Sequence, residues 1–171
     1  MPMESRIFLI GFMGSGKTTL GRRLARLTGY SFTDMDQLIE ETAGMTIPEI
    51  FSELGEKVFR KWERDVLLEL CEREKHIIST GGGAPCHGDL MDLMNAAGLT
   101  VYLELPPLAL KERLLHGRTE RPLIKGLNEK ELMKYIRDTL TERNAYYRQA
   151  KLIMEGVSPN LDALVAAMKA T

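Results

Sequence analysis

Apolar runs and amphipathic stretches alternate along the whole chain. Arg6-Ile7-Phe8-Leu9-Ile10 is a continuous apolar run of the kind that forms a parallel strand buried on both faces. Leu20, Leu24 and Leu27 follow at helical spacing, so a loop joins this strand to a helix. Tyr30 to Thr33 reads as a second strand, ending at Asp34-Met35-Asp36, and a helix is predicted from Gln37 to Ala43, closed by Gly44. Thr46-Ile47-Pro48-Glu49 combines a capping box with a first-turn proline and starts a short helix through Leu54. After Gly55, a helix over about 56–73 puts Val58, Phe59, Trp62, Val66 and Leu70 on one stripe, with Arg60, Glu63 and Arg64 near or beyond its edges.

His76 to Thr80 predicts a third strand that runs into Gly81-Gly82-Gly83. A helix over about 89–96, a strand over 100–105 and a helix opened by Pro106-Pro107 come next. His116 to Asn128 has no apolar period and reads as a mobile flap. A long helix from Glu129 to about Tyr147 precedes a last strand near 151–155. Ser158 with Pro159 then caps and opens a closing helix with Leu161, Leu164, Val165 and Met168 inward. Five strands alternating with helices predict an α/β fold with helices on both faces of the sheet. Ligands of such sheets bind at the carboxyl ends of the strands.

Length and charge narrow this picture. At 171 residues the chain is expected to form one domain, and 23 basic against 24 acidic residues suggest neither a nucleic-acid nor a membrane surface. Without a signal-like first segment or a membrane-length apolar run, a cytoplasmic location is the default expectation. Cys71, Cys86 and three scattered histidines form neither a disulfide framework nor a zinc spacing.

The chemistry concentrates after the strand ends. Gly11-Phe12-Met13-Gly14-Ser15-Gly16-Lys17-Thr18-Thr19 matches G-x-x-x-x-G-K-[ST] between a strand and a helix. Its glycines let successive N–H groups face one concavity at a positive helix end, where phosphate oxygens bind. Lys17 is expected to reach the β- and γ-phosphates, and the Thr18 hydroxyl to ligate Mg²⁺. Asp34 and Asp36 lie two apart, so continued extended backbone would place both carboxylates in one cleft. One would hold Mg²⁺ through water and the other would accept a hydroxyl proton; the plainer account is that one or both cap the following helix. Three adjacent glycines, Gly81 to Gly83, suggest close approach of backbone to a small ligand rather than a simple turn. Arg60, Arg118, Arg121 and Arg143 are each compatible with a solvated face. Arg121 in the flap and Arg60 beside Phe59 stand out, since a guanidinium fork binds carboxylate or phosphate bidentately.

Taken together, the chain resembles a shikimate kinase. The resemblance runs through Gly11 to Thr19, Asp34-Met35-Asp36, Gly55 to Arg60 with Glu63, Gly81 to Ala84, Arg121-Pro122-Leu123, and Arg143 with Tyr147. It implies a three-layer α/β/α P-loop fold of the nucleoside monophosphate kinase type, with five parallel strands ordered 2-3-1-4-5. It also implies a lid at about 116–128 and a shikimate-binding region at about 34–63. The implied reaction moves the ATP γ-phosphoryl group to the 3-hydroxyl of shikimate, within aromatic amino-acid biosynthesis. By the same resemblance Asp36 is the candidate base at that hydroxyl, and Lys17 and Arg121 stabilise the phosphoryl in transit. Gly14, Ser15, Gly16, Lys17, Thr18 and Thr19 hold ATP, with Arg118 and Pro159 matched to adenine contacts. Phe59, Arg60, Glu63, Gly81, Gly82, Gly83 and Arg143 surround shikimate, and Thr18 with Asp34 serves Mg²⁺. A monomer is implied.

Two rivals share parts of this pattern. Another small-molecule or nucleoside monophosphate kinase would share the P-loop but has no need of the triple glycine with Arg60 and Arg143. A nucleotide-switched binding protein would carry Asn-Lys-x-Asp and Asp-x-x-Gly motifs, and neither occurs.

Overall fold

The computed structural model describes residues 3–170. Among them five strands form one parallel sheet: β1 (Arg6–Ile10), β2 (Ser31–Asp34), β3 (His76–Ser79), β4 (Leu99–Glu104) and β5 (Leu152–Glu155), in the order β2-β3-β1-β4-β5. Register is continuous across the centre, with Phe8 opposite Ile78 on one side and Thr100 on the other. Alternation along the central strands builds two cores at once. Phe8, Ile10, Ile78 and Tyr102 face one layer, whereas Ile7, Leu9, Ile77, Val101 and Leu103 face the other.

The helices supply the outer layers. α1 (Lys17–Thr28) and α8 (Leu161–Ala170) bury Leu20, Leu24, Leu164 and Met168 on one face of the sheet. On the other face, α4 (Glu56–Cys71), α5 (Leu90–Ala97), α6 (Pro107–His116) and α7 (Glu129–Tyr147) contribute Leu67, Leu70, Met94, Leu110, Ile136 and Tyr147. α2 (Met35–Ala43) and α3 (Ile47–Glu53) dock on α4 through Ile39, Ile50 and Phe59, a small separate core beside the cleft. The capping box at Thr46 and Glu49 is present, with Thr46 N–H donating to Glu49 Oε2 at 2.7 Å.

Several local features depart from the sequence pattern. Leu27 is exposed, because the stripe of α1 that faces the sheet runs through Leu20, Gly21, Leu24 and Ala25 and leaves it beyond the edge. The helix after β2 begins at Met35 rather than Gln37, so Asp36 sits in its first turn and not on extended backbone. The closing helix starts at Leu161, and Asn160 rather than Ser158 caps it, its Oδ1 accepting from Ala163 N–H at 3.1 Å. α4 ends at Cys71 and buries Glu63, which its hydrophobic stripe leaves at an edge. No helix among the described residues is long and apolar enough to cross a membrane.

Candidate active site

The loop between β1 and α1 forms the floor of the cleft. Gly16 occupies the N-cap of α1 at φ 96°, a left-handed conformation that glycine adopts without steric cost. This turn aims the first N–H groups of α1 into the loop, an arrangement suited to phosphate. Lys17 is buried inside it, and its Nζ donates to the carbonyls of Gly11 (2.7 Å) and Phe12 (3.0 Å). Burial lowers its pKa to about 8, against the pull of Asp36 and Asp34. Ser15 Oγ is buried without a hydrogen-bond partner among the described residues, a polar atom facing the same loop.

Asp34 closes β2 and does two things. Its Oδ1 accepts from Gln37 N–H at 3.2 Å and caps α2, while its Oδ2 accepts from the Thr18 hydroxyl at 2.9 Å. Asp36, in the first turn of α2, is brought to the cleft by the helix rather than by strand alternation. Its Oδ1 is buried and lacks a partner. Burial, with the negative charges of Asp34 and Glu63, raises its pKa to about 6, although Lys17 pulls the other way.

The triple glycine is the hub of the opposite wall, because each position abuts a different charged side chain. A Cβ on Gly81 would lie 2.7 Å from Asp36 Oδ1; one on Gly82, 3.0 Å from Arg143 Nη1; one on Gly83, 3.2 Å from Arg60 Nη2. Absent side chains here make room for one carboxylate and two guanidinium groups at consecutive residues. Arg60 is held from behind: Nη1 donates to Glu63 Oε1 at 2.8 Å, and its guanidinium lies 5.1 Å from the Phe59 ring centroid. Glu63 is 1% exposed, and burial raises its pKa while Arg60 opposes the shift. Arg143 lies over the Phe12 ring of the phosphate loop at 5.9 Å.

Arg121 extends from the segment between α6 and α7. It is half-buried, its guanidinium pKa lowered by that burial against the attraction of Asp34 and Asp36, and it acts electrostatically on Lys17. Lys17, Asp34, Asp36 and Arg121 therefore share one electrostatic neighbourhood. Arg118, in contrast, is exposed and forms no hydrogen bond or ion pair among the described residues. Arg113 takes a more telling position. It donates from Nη2 to the Val157 carbonyl at 2.7 Å and from Nη1 to the Gly14 carbonyl at 3.4 Å, so it bridges the phosphate loop and the loop after β5 that carries half-buried Pro159. Its place in an ordinary amphipathic helix gave no sequence signal.

Two oxygen donors, Thr18 Oγ1 and Asp34 Oδ2, already stand within hydrogen-bond distance at the phosphate end of the cleft. Such a sparse hard-oxygen set suits Mg²⁺, which keeps most of its waters and takes phosphate oxygens as further ligands.

The relatives agree in fold and sequence. The shikimate kinase family matches residues 13–168. A shikimate kinase of Parabacteroides distasonis is 45% identical over 150 residues, covering 88% of this chain and 87% of its own. The crystal structure of shikimate kinase from Bacteroides thetaiotaomicron superposes with a TM-score of 0.90 at 41% identity, over 98% of this chain and 97% of that one. Shikimate kinase from Acinetobacter baumannii, solved in complex with shikimate, gives a TM-score of 0.83 at 36% identity, over 96% and 90%. The match over residues 13–168 and 45% identity across 88% of the chain establish that the chain belongs to the shikimate kinase family, ATP-dependent phosphotransferases with an alcohol acceptor.

Proposed function

We propose that the cleft holds shikimate between Asp36 and the glycine wall, with Arg60 and Arg143 clasping its carboxylate and Asp36 at its 3-hydroxyl. The observation that carries this assignment is the consecutive seating of Asp36, Arg143 and Arg60 against Gly81, Gly82 and Gly83. One carboxylate and two guanidinium groups along a single wall match a small hydroxy-acid, whose charged end and reacting hydroxyl lie on opposite sides of a ring. Glu63 orients Arg60, and Phe59 packs beneath it.

In the reaction, the 3-hydroxyl oxygen forms a bond to the γ-phosphorus as the bond to the β,γ-bridging oxygen breaks, and ADP departs. Asp36 takes the hydroxyl proton; with a pKa of about 6 it is ionised at neutral pH and basic enough to accept. Phosphoryl transfer passes through a loose transition state, so positioning and charge carry most of the work. Lys17 moves from the loop carbonyls to the transferring oxygens, and Arg121, in the same electrostatic neighbourhood, adds a second positive charge there. Gly14, Ser15, Gly16 and Thr19 contribute the rest of the phosphate cradle. Thr18 and, through water, Asp34 would hold Mg²⁺, which would supply neutralisation of the phosphate charge. Arg113 and Pro159 border the adenine.

The segment between α6 and α7 serves as a lid over ATP, excluding water that would otherwise take the phosphoryl group. We assign the chain to a single domain working as a monomer in the cytoplasm. The direct test is ADP release measured with shikimate, gluconate and nucleoside monophosphates as acceptors. Turnover confined to shikimate, with kcat lowered at least about a hundredfold in Asp36→Asn and ATP affinity unchanged, supports the assignment. Equal turnover of the variant removes Asp36 from the chemistry.

A further inference from the structure

Tyr147 sits at the end of α7, one turn beyond Arg143, and is fully buried. Its hydroxyl donates to the Gly82 carbonyl at 2.5 Å and accepts from Arg143 Nη1 at 3.4 Å. The donor and one lone pair of the phenol are thus both engaged, each with a different part of the substrate wall. The ring packs on Tyr102 with centroids 4.9 Å apart, which leaves it little freedom to turn. Burial pushes the phenol up to about 12, so it keeps its proton through the working pH range.

We propose that Tyr147 is a positioning residue for substrate binding: its hydroxyl ties the Arg143 guanidinium to the Gly82 peptide and so fixes the separation between the carboxylate clasp and the glycine wall. The inference rests on the assignment of Arg143 to the substrate carboxylate. Packing alone would be served by phenylalanine, since the core around the ring is apolar and the only polar atom makes both contacts with the site. The ring pair contains its own control. Tyr102, the other ring of the stacked pair, is likewise buried, but its hydroxyl donates to Asn144 Oδ1 at 3.2 Å rather than to the glycine wall.

Without the hydroxyl, Arg143 loses one anchor and Gly82 an acceptor contact, whereas neither Lys17 nor Asp36 touches Tyr147. The effect therefore falls on recognition of the carboxylate. The experiment compares wild type, Tyr147→Phe and Tyr102→Phe in steady-state assays with shikimate and with its neutral carboxamide, reading melting temperature on the same samples. Tyr147→Phe deletes one oxygen and keeps the ring, so the fold is retained. We expect the KM for shikimate to rise about tenfold in Tyr147→Phe, as loss of support for a charged hydrogen bond implies. KM for the carboxamide, KM for ATP and kcat should stay within about twofold, and Tyr102→Phe should match wild type. A wild-type preference for the acid that Tyr147→Phe retains in full overturns the role of Tyr147. So does equal weakening of acid and amide, which marks a purely structural effect. If wild type itself binds both forms alike, the Arg143 clasp fails and the proposal falls with it.

Discussion

Substituting the three wall glycines one at a time separates the groups they accommodate. Ordinary contact begins at 3.4 Å, and an alanine Cβ at position 81 would lie 2.7 Å from Asp36 Oδ1, so the carboxylate must retreat by about 0.7 Å. None of the three glycines has φ in the left-handed region, so alanine introduces no backbone strain and slightly restricts the unfolded chain. The burden falls on the geometry of the cleft rather than on stability. Misplacement of a reacting group by 1 Å costs about a hundredfold, so a shift of this size predicts a loss in kcat on the order of 25-fold for Gly81→Ala. Gly82→Ala and Gly83→Ala meet the ends of arginine side chains with smaller shortfalls, about 0.4 and 0.2 Å, and should mainly raise KM for shikimate, in that order. Coupled measurement of ADP release, with melting curves alongside, resolves these patterns. Wild-type kcat in Gly81→Ala, or one common effect on KM in all three variants, would refute the assignment of each glycine to its own charged neighbour.

The site yields three further predictions. Because burial raises the Asp36 pKa to about 6, kcat/KM should fall about tenfold per pH unit below that value. The same shift favours the protonated carboxyl in the folded chain: its contribution to stability is complete below the ordinary carboxyl pKa and is lost as pH rises through about 6. Asp36→Asn should therefore raise the melting temperature by several degrees at about pH 8 and by almost nothing at about pH 4; equal shifts at the two pH values would contradict this. Arg113→Ala should raise KM for ATP about tenfold while sparing KM for shikimate, and Arg118→Ala should stay within about twofold of wild type. The reverse order in nucleotide titrations would return the adenine contact to Arg118.

The strands and the phosphate loop are legible because their signals are local or compositional, whereas the order of the strands in the sheet came only with the family resemblance. A strand buried on both faces reads as an unbroken apolar run, and a lysine loop between strand and helix has few other uses. Asp36 was legible as a residue but not in its placement: the chain turns helical at Met35, two residues before the pattern suggests. Glu63 was placed at a helix edge because a hydrophobic stripe treats every charge as solvent-facing. Its burial depends on how α2 and α3 dock beside α4. Arg113 left no trace because its partners, Gly14 and Val157, lie 99 and 44 residues away in sequence. The wall arginines could be named but not ordered, since which guanidinium lies against which glycine is a property of packing.

The double engagement of Asp34 has a consequence for how this sequence can drift. The same carboxylate starts the helix that carries the acceptor-side aspartate and meets the hydroxyl of the nucleotide loop. Asparagine would preserve the cap but surrender the charge, and glutamate would preserve the charge but reach past the cap. Selection for a folded chain and selection for a working one therefore converge on a single residue type at this joint. A descendant that exchanged its phosphate acceptor would be free to rebuild the far wall before it could alter this position.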